Sequence, residues 1–158
     1  MPYIIDGNNL IGCAPDIDLH DPEAKTNIIF TVGKFQADKN TNVIIVFDGA
    51  PHNGVRRQEI TSKFTVLYPH YECSADDEIR EILSGFTYFK DVVLVSSDRE
   101  LKTFAKEKGA RTMNSIEFYF ELKRFTHIRG KKEADQKRID TKISAREIDH
   151  WMKIFDES

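Results

Sequence analysis

The sequence predicts an α/β fold, a three-layer α/β/α sandwich with a mainly parallel central sheet. Three observations carry that expectation. The runs Tyr3-Ile4-Ile5, Val43-Ile44-Ile45-Val46-Phe47 and Val92-Val93-Leu94-Val95 are apolar throughout, as strands buried on both faces of a parallel sheet are. Segments with apolar residues at helical spacing separate them, and this alternation implies a sheet between helix layers with right-handed crossovers. The length of 158 residues suits one core of ordinary size.

In chain order, residues 2–6 form the first strand and end in Asp6, followed by Gly7, Asn8 and Asn9. Ile11 to His20, with Pro15 and two acids, is expected to be a loop. Asp21 as N-cap and Pro22 at the first helical position open a helix carried to about Ala37 by Ala24, Ile28, Val32 and Phe35. Asp38 to Asn42 is a polar turn before the strand 43–47, which again ends in an acid and a glycine, Asp48-Gly49. Ala50 to Gln58 has loop composition, and Phe64 to Leu67 is expected to be a short third strand. Ser74 and Asp77 have the spacing of a capping box, and Ile79, Ile82, Leu83 and Phe86 form the buried stripe of the helix they open. The strand 92–95 runs into Ser96-Ser97-Asp98. The next helix buries Leu101, Phe104 and Ala105 and stops at Gly109. Arg111 to Met113 is a weaker strand, and Ser115 opens a last domain helix with Ile116, Phe118, Tyr119, Phe120 and Leu122.

A composition of 40 % hydrophobic and 31 % charged residues is that of an ordinary soluble chain. No run of eighteen apolar residues exists, so no membrane span is expected, and the first residues lack the pattern of a signal peptide. Cys13 and Cys73 form no C-x-x-C motif, so free thiols in a reduced, cytoplasmic setting are expected. The net charge of -3 does not announce a nucleic-acid partner, but its distribution is uneven. Residues 123–142 hold eight Lys/Arg against three acids. The chain therefore divides into a domain over 1–125, a basic linker over 126–143 and a C-terminal amphipathic helix over 144–158. Ser144 and Glu147 form a capping box for that helix, and Ile148, Trp151, Met152 and Phe155 make the stripe expected to dock on the domain.

The chemistry lies in where the acids fall. Asp6, Asp48 and Asp98 each follow an apolar strand, and Asp76-Asp77 stands at a helix start after another. In a parallel sheet these points share one edge, where ligands of open α/β sheets bind. Acids gathered there repel one another and lose water, and a divalent cation offsets both costs. A set of carboxylates and amide oxygens, without His or Cys at ligand spacing, favours a hard ion such as Mg²⁺ or Mn²⁺. Such ions hold phosphate oxygens and activate water for in-line attack, so the chemistry expected is metal-dependent phosphodiester hydrolysis. Each acid also has a plainer reading. Asp98 and Asp77 suit helix caps, Asp6 suits a turn before glycine, and Asp48 suits holding a loop or Arg56.

Asp6-Gly7-Asn8-Asn9, Val46-Phe47-Asp48-Gly49, Ser74-Ala75-Asp76-Asp77-Glu78-Ile79 and Val95-Ser96-Ser97-Asp98-Arg99-Glu100-Leu101 occur in this order. The order resembles the NYN domain, in particular its YacP-like branch, within the PIN-like nuclease superfamily. The resemblance covers about residues 2–122, and the ending Ile143 to Phe155 resembles the C-terminal helix of that branch. It implies a PIN-like fold and Mg²⁺- or Mn²⁺-dependent RNA cleavage. The family's metal acids map onto Asp6, Asp76 and Asp98, its amide position onto Asn9, and Asp77 is an adjunct second to Asp76. Asn9 and Ser97 are then expected at a metal-bound water or a phosphate oxygen. No histidine is placed as a general base, so a metal-bound hydroxide is the expected nucleophile.

RNA contacts are expected from Arg56 and Arg57 in the loop after the second strand, and from Lys123, Arg124, Arg129, Lys131 and Lys132 in the basic arm. Tyr68, His70 and Tyr71 suit either base stacking or loop packing. The competing reading is a catalytically silent RNA-binding or ribosome-associated module, against which the retained acids argue. A D-x-D phosphotransferase is excluded by Asn8, and a dinucleotide or P-loop fingerprint is absent. The partner expected is RNA, with or without the ribosome, for a monomer or homodimer without membrane association.

Overall fold

The structure, a computed structural model, describes residues 2–124 apart from 16, 19, 52 and 86–90. Ten elements follow in order: β1 (Tyr3–Asp6), α1 (Gly7–Cys13), α2 (Ala24–Lys39), β2 (Val43–Val46), β3 (Arg57–Thr61), β4 (Phe64–Leu67), α3 (Ala75–Gly85), β5 (Val93–Val95), α4 (Arg99–Glu107) and β6 (Arg111–Met113). A fifth helix, α5, covers 115–124. The linker expected over 126–143 and the helix expected over 144–158 lie outside the described residues, as do Arg129, Lys131 and Lys132.

The six strands form one sheet in the order β3-β4-β2-β1-β5-β6, parallel except for the antiparallel edge pair β3 and β4. Successive side chains on a strand point to opposite faces, and each face carries its own core. Ile5, Val43, Ile45, Phe64, Val66, Val93 and Val95 pack with α1, α2 and α5. Ile4, Val46, Leu67 and Leu94 pack with α3 and α4 through Ala75, Ile79, Leu83, Leu101 and Ala105. The expected three layers are therefore present.

Three boundaries differ from the sequence reading. The expected loop from Ile11 begins inside α1, because Asp6 caps that helix and Leu10 and Ile11 are buried. The second helix starts at Ala24 rather than beside Asp21, whose carboxylate instead accepts from the Glu23 amide at 2.9 Å in a turn that contains Pro22. The expected loop over Ala50 to Gln58 ends in the edge strand β3, which buries only Ile60 of its five residues.

Register brings the strand ends level. Asp6 pairs with Val46, Val46 with Leu67, and Ile5 with Val95. Asp48, Ser96 and the segment leading into α3 therefore emerge on the edge where Asp6 ends β1. The chain builds toward one side of β1 through β2 and β4, and toward the other through β5 and β6, which makes β1 the switch point where open α/β sheets bind ligands.

Candidate active site

Asp6 is the pivot of this edge. It is partly buried, and Ile4 directs the same strand face toward α3 and α4. Its Oδ1 accepts from the Asn9 amide at 3.4 Å, capping α1, and its Oδ2 accepts from the Ser96 hydroxyl at 3.4 Å. Burial pushes its carboxyl up to about 6, and the charges of Asp48 and Asp76 add to the rise against the two hydrogen bonds. Gly7 is required beside it. A Cβ there would meet the Phe47 ring at 2.6 Å and the Val46 carbonyl oxygen at 3.0 Å.

Asp48 reaches α3. Its Oδ1 accepts from the Ala75 amide at 2.8 Å, and its own amide donates to Asn8 Oδ1 at 2.8 Å. This acid fixes the helix that carries Asp76. Gly49, at φ 88, makes the turn that follows. Arg56, the other partner considered for Asp48, is engaged elsewhere, with Glu78 Oε1 at 2.9 Å and the Tyr68 carbonyl at 3.2 Å.

Asp76 and Asp77 separate in role. Asp76 accepts from Arg80 Nε at 2.8 Å, an i,i+4 pair on α3. Asp77 forms the capping box that its spacing predicts. Its Oδ2 accepts from the Ser74 amide at 3.0 Å while its amide donates to the Ser74 hydroxyl at 3.2 Å, and these bonds hold its carboxyl below the usual range. Asp77→Asn is therefore expected to lower the melting temperature slightly and leave any nuclease rate within about threefold. Asp76→Asn is expected to cost about a hundredfold or more. Parallel rate and melting measurements on the two variants check this.

Asp98 caps α4, accepting from the Glu100 and Leu101 amides at 2.9 and 3.2 Å. Its amide donates to the Ser96 hydroxyl at 3.1 Å, so buried Ser96 links Asp6 to the Asp98 segment. Asn9 is a clasp: its Oδ1 accepts from the Ser97 amide at 2.9 Å and from the Ser115 hydroxyl at 2.6 Å. Ser97 Oγ accepts from the Ser115 amide at 3.3 Å and lies 3.7 Å from Cys13 Sγ. Asn9→Ala would strip an acceptor from fully buried Ser115, and a loss of about 1–3 kcal/mol is expected in a denaturant melt.

Sequence reasoning missed Asn8, Ser96, Arg80 and Ser115. Arg80 alone had a readable signal, its place four residues after Asp76. Among the described residues, the set with ligand atoms all within 4.8 Å of one another is His70, Glu78 and Glu81. It contains none of the strand-end acids, which are thus spread more widely, and its buried member Glu78 already pairs with Arg56.

Of the expected RNA contacts, Arg57 lies exposed in β3 beside Glu59 at 3.6 Å, a pair worth little in water. Lys123 and Arg124 are exposed at the end of the described α5. Tyr68 is buried, while Tyr71 is 93 % exposed. Cys13 and Cys73 are both free thiols. Among the described residues no helix is long and apolar enough to cross a membrane.

The donor set suits a hard divalent cation. Asp6 is a partly buried carboxyl held high first by its loss of water and then by the charges of two neighbouring acids, a condition that added positive charge relieves, and the surrounding donors are oxygens.

Comparison with known proteins bears on fold and kinship. No curated protein matches the chain. Two crystal structures of Rae1 (YacP) from Bacillus subtilis are similar to it. One, of a tryptophan-to-leucine variant, aligns with a TM-score of 0.70 at 20 % identity, covering 96 % of this chain and 92 % of that one. The other aligns at 0.69 and 21 % identity, covering 99 % and 93 %. The sequence pattern of the YacP-like NYN domain matches residues 3–156.

Proposed function

The chain belongs to the YacP-like NYN domain family, a PIN-like nuclease family, and from that membership we propose that it is a metal-dependent endoribonuclease. The observation that supports this most is the carboxyl of Asp6, buried at the switch point and raised to about 6 with Asp48 and Asp76 among the causes. At neutral pH such a group costs the fold stability unless a cation joins it. A module that only bound RNA could cap α1 with an asparagine at this position and avoid that cost.

In this reading Asp6, Asp76 and Asp98 would hold Mg²⁺ or Mn²⁺, which would supply a water activated for in-line attack and charge stabilisation on the phosphate. The chain's own residues do the positioning. Asp48 fixes the start of α3 and so the height of Asp76. Ser96 holds Asp6 and the Asp98 segment together. Asn9 locks Ser97 against Ser115 and so sets the turn from β5 into Asp98. Arg80 holds Asp76 now and would have to release it for that carboxylate to reach an ion. Arg57, Lys123 and Arg124, with Arg129, Lys131 and Lys132 of the basic arm, supply sequence-independent attraction for RNA.

The test is cleavage of a mixed panel of end-labelled RNAs, free and in ribosome complexes, with Mg²⁺, with Mn²⁺ and with EDTA. Internal cuts that need the ion are expected. Internal cuts of equal rate in EDTA would remove the metal from the reading, and intact RNA under every condition would remove the nuclease.

A further inference from the structure

A groove of about 370 Å³ opens between α3 and α4, lined by Arg80, Arg99, Glu100, Thr103, Phe104 and Glu107. It begins at the acid-bearing edge. Arg80 is the partner of Asp76, and Arg99 is the first residue after the Asp98 cap. The Arg80 guanidinium carbon lies 5.1 Å from the centre of the partly buried Phe104 ring, with Lys108 Nζ at 5.5 Å. Glu107 stands further along α4, two turns from Arg99.

We propose that this groove seats the nucleotide of single-stranded RNA that adjoins the scissile phosphate. The inference rests on the nuclease reading and adds where the strand runs. A strand cut at the edge acids must continue away from them, and this groove is joined to Asp76 through Arg80. Its chemistry changes along its length in the order a nucleotide requires. Two guanidiniums at the mouth suit a phosphate. The Arg80 guanidinium lies over the phenyl ring, and its outer plane, backed by that ring, suits a base face. A carboxylate at the far end accepts hydrogen bonds from exocyclic amino groups, as on cytosine. Glu100 also lines the mouth, and Asp76, Glu100 and Asp98 all act on Arg80, so the phosphate takes a guanidinium that the edge acids otherwise share. A rigid duplex cannot present a base face to the guanidinium stacked on Phe104, which commits the groove to single strands.

The test uses the full chain carrying Asp6→Asn, so that RNA survives, and measures anisotropy of a fluorescein-labelled single-stranded oligoribonucleotide across salt concentrations. Arg99→Gln is expected to weaken binding and to lower the log–log salt slope by about 0.7, the value of one phosphate contact on a single strand. Phe104→Leu is expected to weaken binding about fivefold or more, the low end of one lost stack, with the slope unchanged. Phe104→Tyr, which keeps the ring, is expected to bind as the parent does and separates stacking from packing. Single-strand binding by Arg99→Gln and Phe104→Leu equal to that of the parent overturns the proposal, as does a parent that binds no RNA. Cleavage by the chain with Asp6 intact is scored separately. Cleavage together with unaltered binding by the groove variants refutes the groove alone. No cleavage together with weakened binding refutes the nuclease reading and leaves the groove as an RNA site.

Discussion

Asp6→Asn is expected to abolish ion-dependent RNA cleavage, by about a thousandfold or more, while making the ion-free protein more stable at neutral pH. The first effect follows from removing the central negative charge among the acids at the switch point, and about 4 kcal/mol of lost transition-state stabilisation corresponds to that factor. The second follows from the carboxyl being held up to about 6 in the fold. An unfolded aspartate titrates near 3.9. A carboxyl raised on folding favours the native state while protonated. Its contribution is therefore complete below about pH 4, declines as pH rises toward 6 and stays lost above. In EDTA the wild type should lose about 1–3 kcal/mol between pH 4 and pH 7 through this group, a range that allows for its partial exposure. Asp6→Asn should lack that component of the pH dependence. Melting temperatures of both proteins from pH 4 to pH 8, in EDTA and in Mn²⁺, check the sign. Mn²⁺ should stabilise the wild type near pH 7 and leave the variant almost unmoved. Identical pH profiles for the two proteins would show that Asp6 titrates as a solvated group.

Phe118→Ala is expected to produce the largest loss of stability, about 3–5 kcal/mol. Phe118 is fully buried on the α5 side of the sheet. Its ring meets Phe35 edge-on at 5.3 Å and Tyr3 at 5.8 Å, joining α5, α2 and β1. Truncation leaves a cavity at that junction, and a fall in melting temperature of about 10 °C follows for a chain of this size. The site should respond as well, because α5 opens with Ser115, the donor to Asn9. Phe118→Leu keeps most of the volume and should cost less than about 1.5 kcal/mol. A rate that falls in Phe118→Ala well below its melting transition and recovers in Phe118→Leu would tie α5 packing to the site.

The strands that are apolar along their whole length were readable, because burial on both faces leaves no other composition. Strand β3 was not. Arg57, Gln58, Glu59 and Thr61 are polar, and its pairing with β4 comes from an edge that needs a neighbour rather than from its own sequence. Helix α1 was obscured by Gly7, Asn8 and Asn9, all poor helix formers, and forms because Asp6 caps it and Leu10 and Ile11 have a core to enter. That the strands leading to Asp6, Asp48 and Asp98 end on one edge was legible, since a parallel sheet aligns strand ends whatever the loops do. The individual partners of the residues there were not. Asp48 finds Ala75, and Asn9 finds Ser97 and Ser115, across sequence distances that no local pattern encodes. Only contacts within one turn, such as Ser74 with Asp77, could be foreseen residue by residue.

Those distances have a consequence for how activity appears during synthesis. The hydroxyl on Asp6 comes from 90 residues downstream, and the clasp on Asn9 closes across 106. The pairing of β1 with β5 spans the same distance, so the edge is completed only with the centre of the sheet. A nascent chain that has exposed β1, β2 and β4 has Asp6 but neither Asp98 nor the Ser115 that locks the turn before it. On the proposed nuclease reading, such a nascent chain would cut no RNA until almost all of the domain had been translated.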